Sequence, residues 1–331
     1  MVANSLPNIE DIPQLRPLNI LRDLPAVADL VESSFADTLD AEGRSYIQQM
    51  RRAGKDNRFL RWALSAVESV SIPLAGFVWV EGGAIVGNIS VIPFRRGGNR
   101  FSLIANVAVQ PEYRRQGIGR LLTLAAMQYA KQRGASETWL HVRDDNPGAV
   151  KLYKDLGFDE RARRTIWQAQ PGRGPGGAPD RHTIKKNPVH AWRQQAAWYR
   201  RAYPEMLAWY QPLPWRSMQA GPGGALYRFF LDTELKQWTI FRQADLLAGV
   251  TWQPGANYID RLWLAAPENG DGQAVTELLL HARSQLIHRR TLGLDFPAGQ
   301  VTDFIRQAGF SLRRTLIWMQ AGATSTPDLR R

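Results

Sequence analysis

Two stretches of the sequence, about 152 to 156 residues apart, resemble each other closely. The segment GFDERARRTIWQ at 157–168 returns as GFSLRRTLIWMQ at 309–320. Upstream, NVAVQPE at 106–112 has a counterpart in RLWLAAPE at 261–268. Similar segments that recur in the same order at a nearly constant offset indicate a duplicated domain. The chain is therefore expected to fold into two units of the same kind.

The length of the chain and one break in its pattern place the boundaries of these units. A chain of 331 residues is long enough for two domains of roughly 150 residues each. The segment PGRGPGGAPDRH is dense in Pro and Gly and predicts a linker at 171–182. The first domain is thus expected at 1–170 and the second at 183–321, with a flexible tail at 322–331.

The first half alternates strand and helix patterns. Apolar residues on both sides of a Gly-Gly pair predict a hairpin at 77–94, and a further strand follows at 101–109. Residues 119–132 carry apolar side chains at helical spacing, and a strand begins at 138. Residues 146–156 form a second predicted helix, with Asn as cap, Pro at its first position and Gly after its end. This order predicts a mixed α/β fold, with helices on the faces of a mixed sheet.

Composition excludes several kinds of chemistry. The chain contains no Cys, so it has no disulfides, no thiolate metal site and no Cys nucleophile, and we expect no metal. Neither a leader peptide nor an apolar run of about twenty residues is found, which predicts a cytoplasmic protein without a membrane partner. The net charge of +12 suits polyanions, but no basic block concentrates it, so the sequence does not favour nucleic acid as a partner.

A glycine-containing loop at 110–120, QPEYRRQGIGR, joins the 101–109 strand to the following helix. Glycines at 117 and 119 allow a tight turn whose backbone N–H groups point at one spot, where the positive end of the helix dipole lies. We expect a Cβ at either position to block the approach of a phosphate. Full positive charges come from Arg114, Arg115 and Arg120. The loop therefore predicts a site for a phosphorylated ligand.

The run RRQGIG at 114–119, followed by NPGAVKLYKDLGF at 146–158, resembles the two cofactor motifs of the GNAT superfamily of N-acetyltransferases. The resemblance implies a GNAT-like fold in two tandem acyl-CoA N-acyltransferase-like domains, the second of them degenerate. It also implies transfer of an acetyl group from acetyl-CoA to a primary amine by direct attack. The acceptor would be an amine-bearing small molecule or a protein or peptide.

The same resemblance assigns roles to particular residues. The strand residues Val107, Ala108 and Val109 would hydrogen-bond the pantetheine arm and the acetyl group, and the strands near Val107 and His141 would splay apart to admit them. Asn146 would contact the cofactor from the opposite side, and Tyr153 would act as general acid toward the coenzyme A thiolate. The pyrophosphate would be held by Arg114, Arg115, Gln116, Gly117, Ile118, Gly119 and Arg120.

The general base cannot be assigned from the residues, because the strand at 101–109 contains no acid. Asn106 could hold a water molecule, and Glu32, Asp37 or Asp40 could face an acceptor amine. An acyl-CoA sensor or scaffold without acceptor chemistry is the alternative that this absence leaves open. The acceptor amine, the acyl length and the oligomeric state are not readable from the sequence.

The second half has lost the residues on which the first half depends. Its loop at 267–275, PENGDGQAV, has no basic residue, and Asp271 would repel a phosphate. Alignment of the repeats puts Ile305 opposite Tyr153 and Ala298 opposite Asn146. We therefore predict that the second copy is catalytically silent. Its aromatic and basic segment at 190–215 is expected to cover an interface rather than to stack bases.

Overall fold

The computed structural model describes residues 11–36, 39, 41–53, 75–172, 174–175, 182–186, 188–230, 234–255, 259–286 and 290–322. The chain divides into two compact units, neither of which is one continuous segment. The first unit comprises Met1–Val142, Asn146–Arg161 and Trp318–Arg331, and the second comprises Arg143–Asp145 and Ala162–Ile317.

The first unit contains a sheet with the strand order β1-β2-β3-β4-β5. Strands β1 to β4 pair antiparallel, whereas β4 and β5 are parallel and are joined through a helix. In chain order its elements are β1 Leu15–Pro17, α1 Ile20–Phe35, α2 Ala41–Ala53, β2 Ala75–Glu81, β3 Ala84–Arg96, β4 Asn99–Val109, α3 Ile118–Gln132, β5 Glu137–Arg143 and α4 Pro147–Asp155.

The two faces of this sheet pack against different helices. A Cβ on Gly87 would lie 3.1 Å from Ile118 and 3.2 Å from Leu122, so Gly87 faces α3. Side chains alternate along a strand, so Asn88 faces the other way. Its cross-strand partners Val78 and Ala108 belong to the apolar core formed with α1 and α2. The α1–α2 face and the α3 face are therefore opposite sides of the sheet.

The second unit repeats this arrangement with the strand order β6-β11-β10-β9-β8-β7. Strands β8, β9 and β10 are antiparallel, and β10 is parallel to β11 through an intervening helix, as β4 is to β5. Its elements are β6 Asp159–Ala169, β7 Thr183–Lys186, α5 Trp192–Ala202, α6 Trp215–Met218, α7 Pro222–Phe230, β8 Lys236–Arg242, β9 Asp245–Gln253, β10 Ile259–Ala265, α8 Gly272–Gln285, β11 Thr291–Pro297, α9 Thr302–Gln307 and β12 Ser311–Gly322.

The strands that close the two sequence repeats each extend into the opposite unit. From Ala162 onward β6 is part of the second unit, where it pairs antiparallel with β11. From Trp318 onward β12 is part of the first unit, where it is next to β5. The boundary drawn at 170 from the sequence assigns each closing strand to its own half. The similarity of 157–168 to 309–320 alone does not predict which sheet each segment joins.

The described part of the 171–182 segment packs onto the second unit. A Cβ on Gly174 would lie 2.4 Å from Leu280 Cδ2, and Arg283 donates to the carbonyl of Gln170 at 3.3 Å. The 323–331 part of the predicted tail lies outside the described residues. No helix within the described ranges is long and apolar enough to cross a membrane.

Candidate functional site

The loop before α3 is held in shape by its own backbone and by Arg114. Residues Pro111–Tyr113 form a short 3-10 turn, and the Arg114 Nε–H donates to the carbonyl of Val109 at 3.0 Å. Two residues then adopt left-handed backbone, Arg115 with φ 66° and Gly117 with φ 83°. Gly117 is the N-cap of α3, and its carbonyl accepts from the N–H groups of Arg120 and Leu121.

The backbone N–H groups of the loop just before α3 are unpaired within the part of the chain that the structure describes. From Arg115 to Gly119, five consecutive backbone N–H groups make no hydrogen bond to any residue that the structure describes. The loop itself is exposed to solvent from Arg114 to Gly117. Unpaired N–H groups at a helix N-terminus, in a turn that includes left-handed residues, form a concave anion site. The geometry suits a pyrophosphate.

Charge around this site is available to a ligand. Arg114, Arg115 and Arg120 form no ion pair with any described residue. Arg115 is exposed and Arg120 is half-buried, whereas the Arg114 Nε–H is used by the loop. The Gln116 side chain donates to the carbonyl of Glu112 at 3.2 Å, so it supports the turn. The loop and the first turn of α3 therefore carry three guanidinium groups that have no ion-pair partner among the described residues.

The two glycines of the loop have different requirements. At Gly117 the left-handed backbone itself favours glycine, and a Cβ would meet no protein atom within 4 Å. At Gly119 a Cβ would be in ordinary contact with Leu152 Cδ2 at 3.6 Å. The protein therefore leaves open space above Gly117, where a ligand phosphate could approach the backbone.

The strand edge next to the loop is also unpaired. The register of β4 with β5 runs only from Phe101 opposite Glu137 to Ile104 opposite Leu140. Beyond that point residues 105–109 of β4 have no partner in β5. A β-bulge interrupts the pairing of β4 with β3, and Asn106 within it has a φ of 51°. The register thus ends where the sequence resemblance implies that two strands splay apart.

Helix α4 begins and ends as the sequence predicts. The Asn146 Oδ1 accepts from the N–H of Ala149 at 3.1 Å, Pro147 is the first helical residue, and Gly157 follows the end with φ 85°. Asn146 is exposed, and only its side-chain oxygen is used by the cap. Its amide nitrogen remains available to a ligand.

Tyr153 lies on α4, in the same unit as the loop. Its side chain is buried, and its ring makes an edge contact with Phe158 at 6.0 Å between centroids. The hydroxyl makes no hydrogen bond to any described residue, and burial raises the pKa of Tyr153 well above its usual value. The phenol is therefore protonated at neutral pH, as a proton donor must be. The preceding residue, Leu152, contacts Gly119, so α4 lies beside the start of α3.

The acidic residues considered as bases are poorly suited to that role where they can be located. Glu32 is ion-paired with Arg51, and the hydrogen bond from Arg51 lowers the pKa of Glu32. Asp37 and Asp40 lie outside the described residues. His141 is half-buried, with its ring 5.0 Å from that of Trp318. Among the described residues no group of three or more His or acidic side chains could hold a metal ion.

A polar cluster on the α1–α2 face contains residues that the sequence analysis did not predict to lie together. It consists of Asn88, Ser90, Asn106 and Tyr46, and we call it the Asn88 cluster. Asn106 Nδ2 donates to the Tyr46 hydroxyl at 2.8 Å and to Ser90 Oγ at 3.3 Å. Asn88 Nδ2 donates to the carbonyl of Asn106 at 2.9 Å. The available signal was an Asn and a Ser, two residues apart, inside an otherwise apolar run, IVGNISVI.

In the second unit a carboxylate takes the place of an external anion. Asp271 is the N-cap of α8, and its Oδ1 accepts from the N–H of Ala274 at 3.1 Å. The same carboxylate is ion-paired with Arg242, and His182 Nε2 lies 3.8 Å from it. His182 is also hydrogen-bonded to Glu277 at 2.9 Å. The negative charge that a helix N-terminus favours is thus supplied by the protein itself.

In the second unit, two tyrosines form hydrogen bonds with the equivalent strand edge. Tyr199 lies in α5, and Tyr203 is the C-cap residue of that helix. The register of β10 with β11 ends at Leu262. The next backbone groups are bonded, because the Leu264 N–H donates to the Tyr203 hydroxyl at 3.0 Å and the Tyr199 hydroxyl donates to the carbonyl of Trp263 at 3.2 Å. Ile305, which matches Tyr153, is fully buried and has no proton to give.

The aromatic segment at 190–215 belongs to the core of the second unit. Tyr199, Tyr203 and Leu213 are buried in that core, and Trp192, Trp198 and Trp215 pack against it. These five aromatic side chains therefore have a structural role within the unit.

Comparison with known proteins shows what the first half of the chain is similar to. Residues 39–158 match the Acetyltransferase (GNAT) family. Over 69 residues the chain is 42% identical to the [Ribosomal protein bS18]-alanine N-acetyltransferase of Escherichia coli (strain K12), which is 20% of this chain and 47% of that protein. Over 113 residues it is 29% identical to the Mycothiol acetyltransferase of Saccharomonospora viridis, covering 34% of this chain and 35% of that one. The chain thus spans less than half the length of these relatives.

The fold of the whole chain has a solved counterpart. The GCN5-related N-acetyltransferase from Sphaerobacter thermophilus superposes with a TM-score of 0.57 at 13% identity, covering 96% of this chain and 98% of that one. This likeness extends over both halves. The predicted mixed α/β, GNAT-like fold is therefore confirmed, and the family match includes the 110–120 loop and Tyr153.

Proposed function

We propose that this chain, which carries a GNAT acetyltransferase domain at residues 39–158, transfers an acetyl group from acetyl-CoA to a primary amine. The observation that carries the proposal is the row of five unpaired backbone N–H groups from Arg115 to Gly119, with Arg114, Arg115 and Arg120 around it. These groups would hold the pyrophosphate of acetyl-CoA. Gln116 and Ile118 contribute backbone N–H groups to the same row.

The free edge of β4 supports the second half of the donor site. Residues 105–109 have no strand partner toward β5, so Val107, Ala108 and Val109 can present backbone groups to the pantetheine arm and the thioester. Asn146, exposed at the start of α4, would contact the donor from the other side through its side-chain amide nitrogen. Every residue assigned to the donor belongs to the first unit.

The reaction would proceed by direct attack of the amine on the thioester carbonyl. The N–C bond forms, the C–S bond breaks, the coenzyme A thiolate takes a proton from Tyr153, and the amine releases one proton to solvent. Burial favours the protonated phenol, and its hydroxyl is not engaged with any described residue. Tyr153 regains its proton from solvent after the thiol leaves.

The second unit would not take part in the chemistry. Asp271 and Arg242 occupy its helix N-terminus, and Tyr203 and Tyr199 occupy its strand edge. Both positions at which a donor would bind are thus satisfied internally. We propose a supporting role for this unit.

The class of acceptor is a primary amine on a small molecule, a protein or a peptide. One relative is named for an alanine of a ribosomal protein and another for mycothiol, which supports leaving both kinds of acceptor in the proposal.

A binding measurement and a turnover measurement test the proposal. We expect acetyl-CoA to raise the melting temperature of the full chain, and Gly117→Glu to abolish that shift by placing a carboxylate beside the pyrophosphate. Gly83→Glu is the matched control, because Gly83 has a φ of 82° in an exposed turn and also faces open space. Release of coenzyme A in a screen of pooled amines and peptides is expected from the wild type. Equal shifts in Gly117→Glu and wild type would reject the donor site, and binding without any release would favour a sensor or scaffold.

A further inference from the structure

Helix α7 of the second unit has its apolar face exposed to solvent. Pro222, Ala225, Leu226 and Phe229 are all exposed, and their spacing of i, i+3, i+4 and i+7 places them on one side of the helix. The exposed fractions of Leu226 and Phe229 are 58% and 81%. A surface helix of a globular protein normally buries such a stripe against the core. The stripe therefore indicates a surface that binds another molecule.

The other face of α7 packs onto the chain that precedes the helix. A Cβ on Gly224 would lie 1.9 Å from the carbonyl oxygen of Gln219, so no side chain fits there. Arg228 Nη1 donates to the carbonyl of Ser217 at 2.6 Å. Gly224 and Arg228 are four residues apart and share one side of the helix. The outward orientation of the apolar stripe is thus fixed by contacts of the opposite side.

Other exposed apolar side chains belong to the same part of the chain. A Cβ on Gly221 would lie 3.6 Å from Val189 Cγ2, so the exposed Val189 lies beside the start of the stripe. Seven large apolar side chains are exposed among the described residues, and five of them are Val189, Met206, Tyr210, Leu226 and Phe229. Single exposed apolar residues need no explanation, whereas a concentration of this kind marks an interaction surface.

The charge of this segment is almost entirely positive. Residues 183–231 contain seven Lys or Arg and one acid, Glu205. Arg193, Arg200 and Arg216 are exposed, and they form no ion pair with any residue that the structure describes. A partner of this segment should therefore carry negative charge.

Contacts between helices bring this charge next to the apolar stripe. The Arg200 guanidinium lies 5.3 Å from the ring centre of Trp215, which joins α5 to α6. The Arg216 guanidinium lies 5.9 Å from the ring centre of Tyr227, which joins α6 to α7. Tyr227 directly precedes Arg228 and follows Leu226 of the stripe. Positive charge and apolar surface are thus adjacent in the fold, although no basic block concentrates the charge in the sequence.

An anionic lipid bilayer has the chemistry that matches both features. Its acyl region receives apolar side chains, its phosphates bind arginine, and Trp and Tyr such as the half-buried Trp215 and Tyr227 favour the headgroup level. RNA would match the arginines but would leave the apolar stripe in water. A second copy of the chain would bring like charges together. A protein partner would need an apolar groove for the convex face of α7, whereas a bilayer needs no such shape.

We propose that the apolar stripe of α7, with Arg193, Arg200 and Arg216 beside it, binds the second unit to an anionic lipid bilayer. The helix would lie on the membrane without spanning it, with Leu226 and Phe229 among the acyl chains and the arginines at the phosphates. The prediction of no membrane partner rests on the lack of a long apolar run, and that criterion does not cover a helix of nine residues on a bilayer surface. Membrane binding of this kind is independent of the acetyl transfer proposed for the first unit.

Sedimentation of the full chain with lipid vesicles tests the proposal. We expect binding to phosphatidylcholine vesicles that contain one third phosphatidylglycerol, and weaker binding at high salt or to phosphatidylcholine alone. Leu226→Ser and Phe229→Ser should each weaken binding about tenfold, because each removes an apolar side chain from the bilayer. Arg216→Gln should weaken it about fivefold on the anionic vesicles. All three side chains are exposed, so the melting temperatures should stay at the wild-type value.

Leu21→Ser is the matched control. Leu21 lies on α1 of the first unit and is 47% exposed, so vesicle binding should not change when it is replaced. Equal losses in Leu21→Ser and Leu226→Ser would overturn the proposal, because binding would then depend on general hydrophobicity. A wild type that does not sediment with anionic vesicles would overturn it too, as would full binding by both Leu226→Ser and Phe229→Ser.

A fluorescent label measures insertion directly. The chain contains no Cys, so Phe229→Cys offers a single site for a dye whose emission depends on its surroundings. We expect a blue shift on anionic vesicles, and no shift for the same dye on Leu21→Cys. A shift that appears only with poly(U) RNA, or only at high protein concentration, would overturn the bilayer in favour of nucleic acid or of a second copy. Neither measurement uses acetyl-CoA, so the outcome is separate from that of the donor-site tests.

Discussion

Three residues with left-handed backbone lie at the proposed site, and they differ in how readily the sequence predicts this conformation. Gly117 has a φ of 83°, Arg115 of 66° and Asn106 of 51°. Glycine adopts this region freely, whereas a residue with a Cβ pays roughly 1 kcal/mol or more for it. Strain of this kind is concentrated at functional sites. Arg115 and Asn106 thus mark places where the surrounding structure fixes the backbone.

Gly117→Ala separates backbone strain from ligand contact. We expect it to lower the free energy of unfolding by about 1 kcal/mol, since the added Cβ meets no protein atom within 4 Å and only φ is strained. Affinity for acetyl-CoA should fall at least tenfold, because the Cβ points into the space where the pyrophosphate would lie. Calorimetry and chemical denaturation measure the two effects.

Gly83→Ala provides the comparison. Its φ of 82° is almost that of Gly117 and its Cβ also faces open space, so the loss of stability should be similar. Acetyl-CoA should bind this variant as it binds the wild type. Equal losses of affinity in both variants would mean that the Gly117 effect is only structural.

Tyr153→Phe tests the general acid with little change of shape. Phe fills the same buried volume, and no hydrogen bond to a described residue is lost, so stability should change by less than about 1 kcal/mol. The value of kcat should fall by about 100-fold or more, with the dissociation constant of acetyl-CoA unchanged. Because burial raises the pKa of Tyr153, the wild-type activity should not decline through ionisation of this phenol below about pH 10.

Tyr129→Phe is the control for this variant. Tyr129 lies on α3, where its ring contacts Phe77 at 6.0 Å, and it has no assigned role in transfer. Its rate should match the wild type. Full activity of Tyr153→Phe would exclude the phenol as the proton donor.

Single residues with a local signature were predictable, and those defined by distant contacts were not. The cap at Asn146 and the turn at Gly117 follow from their immediate neighbours in sequence. The Asn88 cluster depends on contacts across 18 and 60 residues, from Asn88 to Asn106 and from Tyr46 to Asn106. Such pairings require the register of β3 with β4, and the bulge shifts that register in a way that no periodicity reveals.

At the scale of elements, the start of α1 is fixed by a buried carboxylate. Asp23 accepts from Arg16 at 2.5 Å and from the N–H of Asn19 at 2.8 Å, and it is also paired with Arg22. Burial by itself would raise the pKa of Asp23, but these hydrogen bonds outweigh it and lower the pKa below its usual value. The start of α1 is thus stabilised by the Asp23 carboxylate in its ionised form.

Asp23→Asn should therefore destabilise the first unit in a pH-dependent way. A lowered pKa in the folded state means that the carboxylate stabilises the fold above about pH 4, and that this stability is lost as the pH falls through the folded pKa. At pH 7 we expect the variant to lose about 1 to 3 kcal/mol. Below pH 4 its unfolding free energy should approach that of the wild type. A loss that stays constant from pH 7 to pH 2 would contradict this account.

The pairing of the closing strands, β6 and β12, could not be predicted from sequence patterns. The hairpin of β2 and β3, the strand β4 and the helices α3 and α4 all lie where the sequence predicts them. The partners of β6 and β12 do not follow from the sequence. Both 157–168 and 309–320 have the composition of a closing strand, so the choice of sheet depends on tertiary packing.

At the scale of the whole molecule, two units with the same topology differ in whether their helix N-terminus and strand edge are open to an anionic ligand. The first unit leaves the N-terminus of α3 and the edge of β4 unpaired. In the second unit, Asp271 occupies the N-terminus of α8, and Tyr203 and Tyr199 bond the edge of β10. Duplication would thus have kept the framework while internal contacts replaced a ligand in one copy.

This difference predicts one acetyl-CoA per chain. Isothermal titration of the full chain should give a stoichiometry of about one, and Arg115→Glu in the first unit should remove all binding by putting a negative charge beside the pyrophosphate. Asp271→Ala should cost about 1 kcal/mol of stability through the lost helix cap while leaving the stoichiometry at about one, since Tyr203 still bonds the strand edge. Two molecules bound to the wild type, or a second one gained by Asp271→Ala, would show that the second unit retains a donor site.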